Sequence, residues 1–185
     1  MLTIQLPCLL LDHPFYQQWN AGKIRKDQLA RYAYAYFDLI QQIPHWWKTV
    51  QHSFGCDERW VVDEEYHHIT LWQQWMEEFD KPETPVKMDD TIAAINTMPP
   101  AAMLGALYAF EVQQPEVSRT KYQGLIDHYG FNPEQLRYFE AHFNEERHVA
   151  VAEALAATIA DQQAFTQGVD TGARLFYHSL DRFLQ

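Results

Sequence analysis

One stretch of the chain, residues 57 to 79 (DERWVVDEEYHHITLWQQWMEEF), combines a helical apolar stripe with side chains that bind metals. At about 100° per residue, one broad face collects the apolar residues Trp60, Leu71, Trp72, Trp75, Met76 and Phe79. His68 falls near the middle of this face, with Glu64 and Glu65 beside it, whereas His67 points away. A buried carboxylate is costly unless a positive charge pairs with it. The stretch therefore predicts a buried helix in which His68, with Glu65 or Glu64, binds a cation.

The rest of the chain repeats this helical periodicity, and no segment alternates cleanly as a strand. Breaks at Gly and Pro divide it into seven predicted helices, at about residues 14–20, 26–52, 57–79, 89–98, 101–129, 133–159 and 162–184. Pro115 is expected to kink the fifth of them. The predicted fold is an all-α, seven-helix bundle that forms a single domain over residues 1–185.

Composition narrows the class of protein. Hydrophobic residues make up 47% of the 185 positions, which favours a folded interior. A formal net charge of −11 argues against nucleic acid or an anionic membrane as a partner. There is no membrane-length apolar run, no signal-peptide pattern at the start, and only Cys8 and Cys56 as cysteines. We expect a soluble protein of the reducing cytoplasm.

Two further clusters lie on predicted helices. Glu111 falls within an inward stripe that includes Leu104, Leu107 and Tyr108, so it needs a positive partner or a proton when buried. In the second cluster, residues 142 to 148 (HFNEERH), His142 stacks with Glu146 four residues later.

In the same segment, Glu145 stacks with His148 three residues later, on a different side of the helix. An ideal helix would not aim all four side chains at one point, but a π-bulge or a tightened turn could. Taken singly, a buried Glu or His is more often a structural hydrogen-bonding residue than a ligand. His67 is expected to be solvated, and His178 to pack or cap near the last helix.

Three such clusters on three successive long helices predict a metal site in the core of the bundle. Carboxylates and imidazoles without a thiolate suit iron or manganese better than a structural zinc site.

Two blocks of sequence resemble the PqqC/TenA-like proteins of haem-oxygenase-like fold. The first comprises HPFYQQW at 13–19, GKI at 22–24 and LARYA at 29–33; the second comprises YAFE at 108–111, PEV at 115–117 and KYQGL at 121–125. Within this superfamily the chain resembles the haem-oxygenase-like di-iron oxidases, in particular the branch of the chlamydial death-domain-associating protein. The resemblance runs from about residue 11 to residue 155.

The resemblance implies a bundle that holds two irons, or an iron/manganese pair, and no haem. The metal ligands it implies are Glu65, His68, Glu111, His142, Glu146 and His148. The closing motif of the family has a carboxylate four residues after the first His and three before the second. Here Glu146 keeps the first spacing and Glu145 the second, so both remain open.

The implied activity is that of an O₂-dependent oxidase acting on a small organic substrate or on its own side chain. Tyr108 and Lys121 are the implied catalytic residues, because both are expected to reach the cavity. In the chlamydial branch, oxidation of the protein's own tyrosine feeds p-aminobenzoate synthesis. Here Phe110 stands directly before Glu111, where a tyrosine would favour that role, and Tyr16 and Tyr108 are the tyrosines left open. A homodimer and an external reductant are also implied.

Two other classes of function remain open from the sequence. A metal-free enzyme of PqqC or thiaminase-II type would bind no stoichiometric iron. The catalytic-cysteine context of a thiaminase is not matched by Cys8 or Cys56. In a non-catalytic interaction module of the same fold, replacing Glu111 or His68 by alanine would change stability but no chemistry.

Overall fold

The computed structural model describes residues 4–144 and 146–184, and all regular structure in these residues is helical. The α-helices are α1 (Pro14–Asn20), α2 (Lys26–Ile40), α3 (Ile43–Phe54), α4 (Arg59–Met76), α5 (Asp89–Asn96), α6 (Pro100–Glu111), α7 (Gln114–Tyr129), α8 (Arg137–Ala141), α9 (Glu146–Ala156) and α10 (Gln162–Ser179). The all-α prediction is confirmed, and each of the seven predicted helical segments is helical. In the described residues, none of these helices is long and apolar enough to cross a membrane.

Three of the predicted helices are interrupted. The second breaks between Ile40 and Ile43, where Pro44 occupies the first turn of α3. Proline has no backbone N–H, so it is tolerated in the first turn of a helix and disfavoured further inside one. The same rule explains the fifth segment: instead of kinking one long helix, Pro115 lies in the first turn of α7, after a break at residues 112–113.

The sixth predicted helix breaks where the sequence places its metal-binding cluster. It runs as α8, a tightened 3-10 turn at His142–Asn144, and then α9. The ring Nδ1 of His142 hydrogen-bonds the carbonyl of Tyr138 at 2.7 Å. A side chain that bonds this carbonyl competes with the helical backbone for it. Of the two distortions considered from the sequence, a π-bulge and a tightened turn, the structure contains the tightened turn, and His142 and His148 are both buried.

Helix α6 is the central element of the bundle. Residues 101–111 are all buried, and the helix packs mainly on α10, with α3 and α9 on its other sides. Glycines bring the backbones of α6 and α10 into contact. A Cβ atom at Gly172 would lie 2.6 Å from Cα of Ala106, and one at Gly168 would collide with the carbonyl oxygen of Ala102. The position of α6, and of Glu111 at its end, therefore depends on this close crossing.

We expect Gly168→Ala to destabilise the protein by about 3 kcal/mol, because the new methyl group meets backbone that cannot give way. Thr171→Ala is the matched control: it adds no atom, sits on the exposed side of the same helix, and should change stability by less than about 0.5 kcal/mol. Urea denaturation of both variants measures the difference. Equal midpoints would show that α6 and α10 do not cross this closely.

Candidate metal centre

Helix α4 supplies two inward side chains to the centre. Glu65 and His68 are one helical turn apart and only 3% and 5% exposed, with Nδ1 of His68 3.5 Å from Oε2 of Glu65. Trp72 and Trp75 continue the same buried face, so the apolar packing of α4 fixes the direction of both polar groups. Glu64, the alternative from sequence, turns about 100° away from Glu65 and its side chain is 43% exposed.

The other members come from α6, α9 and the turn before α9. Glu111, at the end of α6, accepts a hydrogen bond from the indole of Trp47 at 3.1 Å. His148 lies between the carboxylates, with Nδ1 3.1 Å from Oε1 of Glu65 and 3.7 Å from Oε2 of Glu111. The ring of His142 packs on that of His68, with 4.2 Å between centroids. The structure thus brings together Glu65, His68, Glu111, His142 and His148, five of the six predicted ligands.

The pKa shifts of Glu65, Glu111 and His148 show that this cluster favours a positive charge. Burial opposes the charged form of His148, but hydrogen bonds and charges from Glu111 and Glu65 outweigh burial and raise its pKa to about 11. Burial also opposes ionisation of Glu65, yet His148 and His68 lower the pKa of that carboxyl to about 2. Burial, reinforced by the charge of Glu65, raises the pKa of Glu111. The carboxylates of Glu65 and Glu111 therefore compete for one nearby cation, the protonated ring of His148.

The donor set fits iron or manganese. Glu65, Glu111 and His148 each offer a ligand atom, and the three atoms lie within 4.8 Å of one another. Non-haem iron and manganese sites use imidazole nitrogens and carboxylate oxygens as ligands, without thiolates. Nδ1 of His142 is engaged by the carbonyl of Tyr138, and such a bond leaves Nε2 to bind a metal ion.

Glu146, the sixth predicted ligand, is the first residue of α9, and its side chain is exposed. The 3-10 turn at His142–Asn144 interrupts the α-helical geometry between His142 and this residue, so the four-residue spacing no longer implies a shared face. Glu145, the alternative ligand, lies outside the described residues.

We expect Glu146→Gln to bind as much iron as the wild type after anaerobic reconstitution, because its carboxylate lies in solvent. Glu65→Gln, a matched change at a buried carboxylate, should bind less. Iron per chain, measured by plasma mass spectrometry, compares the two. Loss of iron from Glu146→Gln would restore the ligand role predicted from the spacing to His142.

Lys121 and three tyrosines form a second buried cluster, which we call the tyrosine–lysine cluster (Tyr16, Tyr32, Tyr36 and Lys121). Nζ of Lys121 donates a hydrogen bond to the phenol oxygen of Tyr32 at 2.7 Å, and lies 5.0, 5.2 and 5.3 Å from the ring centroids of Tyr16, Tyr32 and Tyr36. Burial lowers the pKa of Lys121 to about 7. The amine is therefore partly neutral at physiological pH.

This cluster borders the carboxylates and imidazoles. The ring centroid of Tyr36 lies 5.4 Å from that of Trp72, one helical turn after His68 on α4. Burial, with the charge of Tyr16 and then of Glu111, raises the pKa of Tyr36. Tyr32 and Tyr36 are stacked at 5.0 Å on one face of α2, and the phenols of Tyr16 and Tyr32 are hydrogen-bonded at 3.1 Å. The sequence predicted Lys121 near the cavity but missed Tyr32, whose only signal was its four-residue spacing from Tyr36 on an apolar stripe.

Tyr108, the other predicted catalytic residue, is buried, and its ring packs against Phe165 of α10, with 5.9 Å between centroids. Burial, with the charge of Glu153, raises its pKa. These contacts are with α9 and α10, and the catalytic role of Tyr108 stays a prediction. His67 is exposed, as expected. His178, which was expected to pack or cap near the last helix, is exposed as well, with its Nδ1 3.3 Å from Oδ2 of Asp181.

Comparison with known proteins defines the class. Residues 41–179 match the model of a family described as iron-containing redox enzymes. The chain resembles a crystal structure from Shewanella denitrificans OS217, a domain of unknown function with a haem-oxygenase-like fold. Their TM-score is 0.74 and their identity 18%, with 94% of this chain and 84% of that one covered. At this identity the likeness shows the fold alone.

Curated relatives share the name 4-aminobenzoate synthase. The chain is 31% identical to that of Chlamydia muridarum (strain MoPn / Nigg), covering 95% of this chain and 85% of the relative. It is 27% identical to that of Nitrosomonas europaea, covering 80% of this chain and 75% of the relative. This protein therefore belongs to the family of iron-containing redox enzymes with a haem-oxygenase-like fold, and it is an oxidoreductase. Membership favours an iron enzyme over the metal-free enzyme and the interaction module.

Proposed function

We propose that this protein binds two iron ions at the buried carboxylate–imidazole centre and uses O₂ to form 4-aminobenzoate. The ring would come from one of its own tyrosines by cleavage of the Cα–Cβ bond, and the nitrogen from an amine donor. The proposed ligands are Glu65, His68, Glu111, His142 and His148. Bound iron would supply O₂ activation. The names of the relatives support the product, and the buried tyrosine–lysine cluster beside Glu111 supports the source of the ring.

The position of the tyrosines carries the proposal. Tyr16, Tyr32 and Tyr36 are buried, at 1%, 0% and 3% exposed, and the ring of Tyr36 lies 5.4 Å from that of Trp72, one helical turn after His68. A phenol becomes a much stronger acid as it loses an electron, so its oxidation requires a nearby proton acceptor. Lys121, with its pKa lowered by burial to about 7 and its Nζ 2.7 Å from Tyr32, can accept that proton. The packing around the cluster excludes water from both groups.

The remaining parts of the proposal rest on the resemblance. The resemblance to the di-iron oxidases implies a dimer of two identical chains and a cytoplasmic location. It also implies an external reductant that returns the iron to its ferrous state. Light scattering on the purified protein measures the oligomeric state, and product yield with and without ascorbate measures the need for a reductant.

The decisive experiment labels the protein itself. The chain is produced with ¹³C-labelled tyrosine, reconstituted anaerobically with ferrous iron, and exposed to O₂ and ascorbate in unlabelled buffer. We expect ¹³C-labelled 4-aminobenzoate, at no more than about one molecule per chain, with a matching loss in the intact mass of the protein. Product beyond that yield, or product without label, would assign the ring to a free aromatic substrate. No product and no iron would overturn the proposal.

Single replacements then locate the ring. Tyr16→Phe, Tyr32→Phe and Tyr36→Phe each remove one phenol oxygen and keep the aromatic packing. The source tyrosine is the one whose replacement abolishes product formation. Tyr122→Phe is the control, because Tyr122 packs on Phe143 rather than on the tyrosine–lysine cluster.

A further inference from the structure

The carboxylate of Glu64 contacts the ring nitrogen of His148 that faces away from the metal centre. Its Oε2 atom lies 3.1 Å from Nε2 of His148, while its side chain remains 43% exposed. The side chain of His148 is itself fully buried. The two ring nitrogens of this histidine therefore face carboxylates in two different environments, one at the surface and one in the core.

The inner nitrogen is the one that faces the metal centre. Nδ1 of His148 lies 3.1 Å from Glu65 and 3.7 Å from Glu111. A metal-binding histidine commonly donates its other ring N–H to a carboxylate, which fixes the tautomer and the orientation of the ring. From this geometry we propose that Glu64 is a positioning residue: it keeps the proton of His148 on Nε2 and so presents the Nδ1 lone pair to the metal. This inference rests on the proposed metal centre.

Glu64 is itself held in place. The guanidinium of Arg147 lies 3.4 Å from Oε1 of Glu64 and 4.0 Å from the ring centroid of Trp60. Trp60 is one helical turn before Glu64 on α4, and its ring covers His148 at a centroid distance of 5.5 Å. The Glu64 carboxylate therefore cannot swing freely into solvent, although water reaches it.

The position also gives distinct roles to Glu64 and Glu65, two of the three consecutive carboxylates of α4. Glu65 points into the centre and contacts Nδ1 of His148, whereas Glu64 reaches around the same ring to Nε2. One ligand is thus clamped from both sides by neighbouring residues of a single helix. On this assignment Glu64 contributes to metal binding through His148, without ligating the metal.

The test compares Glu64→Ala, Glu64→Gln and a matched control, Glu58→Ala. Glu58 is an exposed carboxylate that accepts a hydrogen bond from the Trp60 indole at 2.6 Å. Binding of Fe²⁺ and of Zn²⁺ is measured by calorimetry under anaerobic conditions. Nitrogen-15 NMR of the Zn²⁺-loaded protein reports the chemical shift and the hydrogen-exchange rate of the Nε2–H group of His148. Circular dichroism checks that each variant folds, as expected for exposed positions.

We expect Glu64→Ala to bind each metal 10- to 100-fold more weakly, about the usual effect of losing such a partner, with an unchanged number of sites. The Nε2–H group of His148 should lose the shift caused by its hydrogen bond to Glu64 and should exchange faster with water. Glu64→Gln, which keeps an acceptor oxygen, should recover most of the affinity, and Glu58→Ala should match the wild type.

Two results would overturn the assignment. A metal affinity and an Nε2–H signal equal to those of Glu58→Ala would make Glu64 an ordinary surface carboxylate. Loss of a whole metal equivalent would make it a direct ligand. A wild-type protein that binds neither metal would instead refute the proposed function itself, and the positioning role with it.

Discussion

Glu111→Gln should lose at least about 100-fold in affinity for Fe²⁺ and form less than about 1% of the wild-type product. The carboxylate is 1% exposed, and one of its oxygens lies 3.7 Å from Nδ1 of His148. Glutamine has the same shape and can still accept the Trp47 hydrogen bond, so the change removes charge with little effect on packing. Loss of a buried ligand charge should exceed the 10- to 100-fold effect, roughly, of losing a partner outside the ligand set.

Thermal unfolding with and without metal provides a second measurement. A ligand present at about 100 times its dissociation constant stabilises the folded state by about 2.7 kcal/mol. The wild type should show this stabilisation when Fe²⁺ is added, and Glu111→Gln should not. Glu116→Gln, an exposed carboxylate on α7, is the control and should behave like the wild type. An unchanged metal response in Glu111→Gln would show that Glu111 is a structural residue.

Lys121→Met should abolish product formation and change how stability depends on pH. Burial lowers the pKa of Lys121 from 10.5 to about 7, so between these values the unfolded chain binds a proton that the folded protein does not. The free energy of unfolding therefore rises with pH in this window. From pH 7 to pH 9 the rise due to Lys121 is about 2 kcal/mol, since a tenfold change in proton affinity corresponds to about 1.4 kcal/mol.

Denaturant unfolding of the metal-free protein at pH 7, 8 and 9 isolates this contribution. From pH 7 to pH 9, the free energy of unfolding of the wild type should rise by about 2 kcal/mol relative to that of Lys121→Met. Lys23→Met, at an exposed lysine, should show a constant difference from the wild type. A constant difference for Lys121→Met as well would mean that Lys121 keeps an ordinary pKa and is a poor proton acceptor near neutrality.

Local pattern predicted the helices and most of the centre. The 3.6-residue period of α4 placed Glu65 and His68 on its buried face, and the apolar run around Glu111 predicted a buried carboxylate. These inferences hold because which face of a regular helix is buried depends on a few neighbouring residues. The local pattern could not assign different roles to Glu64 and Glu65, because both flank His68 on α4. Only the packed structure shows that Glu64 contacts Nε2 of His148 and Glu65 contacts Nδ1.

The break before α9 and the tyrosine–lysine cluster needed the tertiary structure. On an unbroken helix, His142 and His148 would point about 120° apart, and the turn at residues 142–144 removes that constraint. Tyr32 and Lys121 are 89 positions apart in sequence, so their hydrogen bond exists only because the bundle brings α2 and α7 together.

The sequence by itself determined an all-α protein with carboxylates and imidazoles on buried faces, because periodicity and charge are properties of single helices. The tertiary structure decided which of these groups meet and which aromatic side chains lie beside them. Such contacts depend on where helices distant in sequence cross.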